Sequence, residues 1–293
     1  ALGTWLAERL RLPRPVVAVS SLSGMSGMFG SFLGSPFGFA MFTIEAGLEK
    51  GKLSWKLLLP SIVAASVGYG VFFALTGYVF GGGYDFPAYE DWHVLDLVYA
   101  VLLGLLGGLL GLLFIRLYRT LRKWADRRRS RPVSLAMLAG LVLGIMGAFY
   151  PMLLFSGDSQ IQDLIDDAAA MGAFLLIAMA VLKVFVTATC LAFGWSGGYI
   201  FPSFFMGTAL GLAVHQLLPF VPEIVCIVCV ISGVSVALLK SPIALALIIQ
   251  VLFDVRLAPI IAIAILAAFL LTYREELVPP VEKCSEPSPG PLG

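Results

Sequence analysis

Leu182-Lys183-Val184-Phe185-Val186-Thr187-Ala188-Thr189-Cys190-Leu191-Ala192-Phe193-Gly194-Trp195-Ser196-Gly197-Gly198-Tyr199-Ile200-Phe201-Pro202-Ser203-Phe204-Phe205-Met206-Gly207-Thr208-Ala209-Leu210-Gly211 is the stretch on which the reading turns. An apolar helix ends in the glycine-rich backbone of 194–198, and a new helix begins around Tyr199 to Pro202. Proline suits a first helical turn because the N–H it lacks would have no partner within the helix. The N–H groups of that turn, together with the positive end of the helix dipole, attract an anion without any charged side chain. The glycines let backbone come close to the ion. An anion that must leave as readily as it binds is better served by partial charges than by a buried arginine. Taken alone, the segment predicts anion permeation.

The rest of the chain puts this segment in a membrane. Its 293 residues are 59% hydrophobic and 13% charged, with a mean hydropathy of +0.96. Soluble domains run at roughly 45–50% apolar and about 25% charged, so there are too few ionised side chains to cover a water-facing surface. The reading is an all-helical polytopic membrane protein whose solvent is the lipid bilayer. The same numbers exclude a disordered chain, a basic nucleic-acid binder and a disulfide-stapled secreted domain. Three of the four cysteines (Cys190, Cys226, Cys229 and Cys284) lie in apolar stretches, where a thiol behaves as a small hydrophobe. Cys226 and Cys229 have knuckle spacing but no second pair and no nearby His, so no metal is expected, and nothing implies a cofactor.

Apolar runs fall at about 16–34, 36–46, 57–80, 95–115, 133–154, 173–193, 199–218, 222–239, 242–254 and 258–273. A full crossing needs roughly 20 apolar residues, so 36–46 and 242–254 are too short to span. Partial helices at membrane depth belong where they line an enclosed or watery cavity. Prolines sit at or near several helix starts: Pro36, Pro132, Pro202, Pro222, Pro242 and Pro259. Basic residues collect at Arg9, Arg11 and Arg14, at Lys50, Lys52 and Lys56, and from Arg116 through Arg119, Arg122, Lys123, Arg127, Arg128 and Arg129 to Arg131. The positive-inside rule places these three loops in the cytoplasm. Asp85, Glu90, Asp91 and Asp96, in a segment with no Lys or Arg, belong outside. Ser35-Pro36 through Glu45 resembles Ser241-Pro242 through Gln250, a weak internal repeat of the kind that transporters build around a central site. Well over a hundred residues of spans precede the second copy and only about 35 precede the first, which predicts helices missing from the front of the chain.

Gly198-Tyr199-Ile200-Phe201-Pro202, with Gly-x-Ser-Gly before it and Gly-x-x-Leu-Gly after it, resembles the CLC family of chloride channels and proton/chloride exchangers. In that family a Gly-x-Phe-x-Pro element opens a helix whose backbone amides hold the central chloride. The resemblance assigns the amides of Tyr199 and Ile200 to a chloride or similar monovalent anion; Ile200 stands where Phe is usual, and the ring moves one place to Phe201. The match extends over nearly all of 1–275, leaving 276–293 as a proline-rich, disordered cytoplasmic tail. It implies inverted-repeat architecture, a homodimer joined through the short helices and the spans beside them, and an anion path in each subunit. The cell (inner) membrane is the expected location, with the C-terminus cytoplasmic.

Departures from the family bear on mechanism. Gly-Ser-Gly-Ile-Pro and Gly-x-Glu-Gly-Pro, the latter carrying the external gating glutamate, are not found, and the second would fall immediately before Ala1. Glu45 matches the acid that precedes the family's internal proton-transfer glutamate, and Ala46 occupies the transfer position itself. Channel and proton-coupled exchanger therefore both stay open, with a non-conducting remnant as the alternative. Lys183 is read either as an anion attractor or as a lysine that snorkels or pairs with a helix C-terminus. Glu45 is read as a proton relay or as a solvated or ion-paired structural residue ending a short helix near Lys50 and Lys52. Asp158, Asp163, Asp166 and Asp167 are expected to face water outside. Gly194-Trp195-Ser196-Gly197 also fits the nucleophile pattern of rhomboid-type proteases, but the serine would need His93 or His215 as base. A single helix over 199–215 would put His215 roughly 25 Å away, so no enzymatic activity is expected.

Overall fold

A helix that is apolar all round must be buried all round, and Glu223–Leu239 is such a helix. The computed structural model describes residues 2–48, 57–77, 84–89, 92–128, 132–275 and 277, and in it every residue from Ile224 to Leu238 is buried. Around this column the described residues form an all-helical array with no strand. In chain order the helices are α1 (Leu2–Arg9), α2 (Arg14–Phe32), α3 (Pro36–Leu48), α4 (Leu58–Thr76), α5 (Leu95–Asp126) and α6 (Pro132–Phe149). They continue with α7 (Gln160–Asp166), α8 (Ala168–Ala192), α9 (Ile200–Leu217), α10 (Glu223–Leu239), α11 (Pro242–Leu252) and α12 (Ala258–Thr272). Six of them (α4, α5, α6, α8, α9 and α12, the last counted with the short turn before it) are long and apolar enough to cross a bilayer.

Small residues set how closely α10 meets its neighbours α5, α9 and α12. A Cβ on Gly107 of α5 would lie 2.5 Å from the Val230 carbonyl oxygen, and one on Gly104 would lie 2.5 Å from that of Ala264 on α12. On the other flank, a Cβ on Gly207 of α9 would sit 2.5 Å from the Ile231 Cα. Backbones this close gain dispersion contacts that lipid tails cannot outcompete, the usual way apolar helices associate in a bilayer. Outward faces stay apolar: Leu59, Val63, Val67 and Val71 make an exposed stripe along α4, and Val133, Met137 and Leu141 another on α6.

The two repeat copies meet side by side. Ser35 Oγ donates to the Leu247 carbonyl, and Gly38 abuts Ile248, while Glu45 reaches Ile243 and Ala244. Advancing along α3 thus means retreating along α11, so the short helices run antiparallel, as an inverted repeat requires. Helix triplets α2–α3–α4 and α10–α11–α12 make the same triangle of mutual contacts.

Charge separates along the array. At one end Arg119 pairs with Glu275 beyond α12, Arg122 donates to the Ala192 carbonyl that closes α8, and Lys240 donates to the Thr272 carbonyl. At the other end Tyr84 donates to the Asp158 carbonyl, the Asp85 N–H donates to Gln162, and the Tyr89 hydroxyl donates to Asp96 at 2.6 Å. Burial, and then that bonded carboxylate, hold the Tyr89 phenol above the ordinary tyrosine range.

Two expectations change. The basic run from Arg116 onward is not a loop: through Lys123 it continues α5, whose 32 residues reach about 48 Å against a hydrocarbon core of roughly 30 Å. Arg, Leu and Lys are strong helix formers, so the helix carries on past the apolar stretch; Arg129, Arg131, Lys50, Lys52 and Lys56 lie outside the described residues. The run beginning at 173 is preceded by helical residues 168–171, set off by Gly172 at φ 72° and ψ 154°.

Gly107→Val should lower stability by at least about 2 kcal/mol through overpacking. Gly144→Val on α6, where a Cβ meets nothing within 4 Å, should leave it nearly unchanged. Thermal unfolding of the two variants in detergent checks this, and equal midpoints would contradict the packing account.

Candidate anion site at the start of α9

α8 ends at Ala192, and residues 193–199 carry the chain to α9 without helical structure. Gly194 turns at φ 97°, a value glycine adopts without steric cost. The first intrahelical bond of α9 runs from the Ser203 N–H to the Tyr199 carbonyl at 3.0 Å. The N–H groups of Tyr199, Ile200 and Phe201 precede it, and Pro202 has none. Ser203 steadies the turn by donating its hydroxyl to the Ile200 carbonyl at 2.6 Å, and its Oγ lies 3.1 Å from that of Ser235 on α10. Pro202 and Ser203 are buried, Tyr199, Ile200 and Phe201 are half-buried, and Gly197 and Gly198 are exposed. The Phe201 ring meets Phe32 of α2 edge-on at 6.0 Å.

Beside this turn lies a cavity of about 260 Å³, bordered by α6, α8 and the 193–198 segment. Phe155 and Ser156 line it toward the acidic end of the molecule and Trp195 and Ser196 toward the basic end, with Thr187, Gly198 and Pro202 between. The Trp195 indole N–H donates to the Ala136 carbonyl near the start of α6. A Cβ on Gly198 would meet nothing within 4 Å, so open space adjoins the backbone there. Gly198 and Pro202 reach the cavity wall; Tyr199, Ile200 and Phe201 are not among its lining residues.

Lys183 is fully buried rather than snorkelling. Its Nζ donates to the carbonyls of Leu153 (3.1 Å), Leu154 (3.4 Å) and Phe155 (3.1 Å), at the end of the short turn Pro151–Leu153, and it faces the Phe205 ring at 4.8 Å. The pairing expected with a helix C-terminus is thus made with the carbonyls that end this turn. Asp158 is half-buried rather than open to water, and accepts the Ser156 hydroxyl.

Glu45 corrects its expectation. Its carboxylate is 8% exposed and accepts the N–H groups of Ile243 (3.0 Å) and Ala244 (2.9 Å) in the first turn of α11. It is therefore buried rather than solvated: a carboxylate from one repeat copy caps the other, where helix-end donors and the dipole favour negative charge. Lys50 and Lys52, its expected partners, lie outside the described residues. His215 sits in the last turn of α9, with Nδ1 against the Val221 carbonyl and Nε2 toward Glu223, at the opposite end of that helix from Ser196. Sequence reading missed Ser156, Thr187 and Cys190 as cavity residues; for Ser156 the signal was turn chemistry, Ser-Gly-Asp.

An all-helical membrane array with antiparallel short helices and a proline-opened helix beside a cavity defines a polytopic membrane protein of inverted-repeat architecture. The chain belongs to the voltage gated chloride channel family, whose model matches residues 1–273. YfeO of Escherichia coli O1:K1, an ion-transport protein by name, is 27% identical over 278 residues, covering 92% of this chain and 64% of YfeO. YfeO of Shigella boydii serotype 18 matches at the same identity and coverage. The chain thus spans 64% of the length of these relatives. Among solved structures, a CLC-type fluoride/proton antiporter superposes with a TM-score of 0.75 at 22% identity, over 95% of this chain and 69% of that one. A slow cyanobacterial Cl-/H+ antiporter superposes at 0.74 and 18% identity, over 93% and 66%. These two likenesses establish the fold.

Glu45→Ala should destabilise the chain by about 1–2 kcal/mol, since it strands two helix-end donors. Glu45→Gln, which keeps an acceptor oxygen, should lose less. Thermal unfolding reads both; an alanine variant as stable as the parent would contradict the capping role.

Proposed function

We propose that the chain forms the anion-conducting part of a multi-pass membrane transport protein. A chloride or similar monovalent anion is held by the backbone amides of Tyr199 and Ile200, Gly198 clears its approach, and Pro202 and Phe201 fix the turn. The observation that supports this is the amino end of α9 opening beside a cavity whose polar lining (Ser156, Thr187, Ser196 and the 197–198 backbone) carries no ionised group. Such a site binds through dipoles and releases readily. Fluoride belongs in the anion set to be tested, since one protein of the same fold is a fluoride/proton antiporter by its title. Proton coupling would distinguish an exchanger from a channel. Glu45, bonded to α11, is assigned to positioning rather than to proton transfer.

The basic end faces the cytoplasm under the positive-inside rule, carrying the C-terminus and the 276–293 tail with it, in a cell (inner) membrane. Residues 1–275 form the transmembrane domain. Two copies pair through α3, α4, α11 and α12, where the exposed α4 stripe would be covered.

Liposomes containing the chain should release chloride or fluoride faster than empty liposomes. Gly198→Leu, which fills the space beside the turn, should cut that rate at least about tenfold, while Leu109→Ala on the exposed face of α5 should not. Flux no faster than from empty liposomes, or equal rates in both variants, would contradict the proposal.

A further inference from the structure

Three carbonyl oxygens converging on one point, with an aromatic face behind them, make a cage for a cation. Here the carbonyls of Leu153, Leu154 and Phe155 and the Phe205 ring make that cage, and the cation is tethered: it is Lys183 Nζ. The backbone around it is strained. Phe155, a non-glycine residue that is 79% exposed, stands at φ 52°. Strain of this kind persists only where the surroundings over-determine it, and it gathers at functional sites. Lys183 does not itself line the cavity beside α9, but Phe155 and Ser156, at the end of the turn it holds, do.

We infer that Lys183 is a positioning residue for anion binding: a buried, non-coordinating cation that cancels the carbonyl cluster behind the cavity wall and holds Ser156 at its rim. The inference rests on the anion reading of α9 proposed above. Without the ammonium, the partial negative charges of three carbonyls would stand next to a path meant for anions, and the turn would lose its anchor. A lysine bonded directly to the anion would hold it too tightly to turn over. One buried a layer behind the wall supplies field without becoming a ligand. Asp158, the carboxylate within electrostatic reach of Lys183, already accepts the Ser156 hydroxyl, so its charge is partly engaged.

Cys190 lines the same cavity and is half-buried, whereas Cys226 and Cys229 are fully buried. In a Cys284→Ser background, Cys190 therefore reports cavity occupancy. Its modification by a neutral methanethiosulfonate is timed while chloride replaces gluconate at constant ionic strength. Chloride should slow the reaction. Lys183→Met should raise the half-protecting chloride concentration about tenfold, the scale of one nearby charge at protein dielectric. Lys183→Arg, which keeps charge and donors, should stay within about threefold, and ethylammonium should restore protection to Lys183→Ala. Gly157→Ala provides a second route, because its Cβ would fall 2.9 Å from Nζ on a backbone at φ 86° that alanine tolerates poorly, and so disturbs the ammonium and the turn it anchors without removing the charge; protection should weaken there as well. Should the methionine variant fail to elute as a single species, the arginine and Gly157 variants decide. Protection at the parental concentration in Lys183→Met or Gly157→Ala would overturn the inference and leave the anion site standing. No protection by chloride in the parent, with flux intact, would overturn both the inference and the assigned site.

Discussion

Helix ends are the difficulty this chain has to solve. In apolar surroundings a helix satisfies its own middle, but its first N–H groups and last carbonyls need partners from elsewhere. A molecule that uses short helices starting and stopping inside the array meets that constraint repeatedly. Glu45 answers it for α11, Lys183 for the 153–155 carbonyls and Lys240 for α12. Each answer comes from a different helix, so meeting the constraint also ties the array together. α9 begins differently, in glycine backbone beside a cavity.

The close helix crossings serve the same end. Because Gly104 and Gly107 bring α5 against α12 and α10, α10 is buried throughout and gives α9 and α11 a fixed wall. Ser235 of that wall meets Ser203 in the first turn of α9. The position of the turn is therefore set by packing over most of its length, which a site relying on backbone dipoles needs: partial charges act only where geometry holds them.

Much of this was legible in the sequence, for local reasons. Apolar runs bounded by Pro36, Pro132, Pro202, Pro222, Pro242 and Pro259 mark the helices because proline ends one segment and suits the first turn of the next. The repeat was visible as two Ser-Pro openings, and family membership agrees with the 183–211 motif. What escaped was long-range. Nothing near Glu45 announces that its partners lie 198 and 199 residues away. Lys183 read as attractor or as snorkelling or helix-end partner, because the carbonyls it meets sit about a helix and a loop earlier. The cavity residues Ser156 and Thr187 come from separate elements, and only packing brings them together.

The central claim is that a monovalent anion rests at the amino end of α9, bonded to backbone amides and to no charged side chain. Crystals of the chain soaked in bromide would test it through anomalous scattering. The account predicts a peak within hydrogen-bond reach of the Tyr199 and Ile200 amides, lost in Gly198→Leu. Bromide found only at the basic surface around Arg119 and Arg122, with the start of α9 empty, would contradict it.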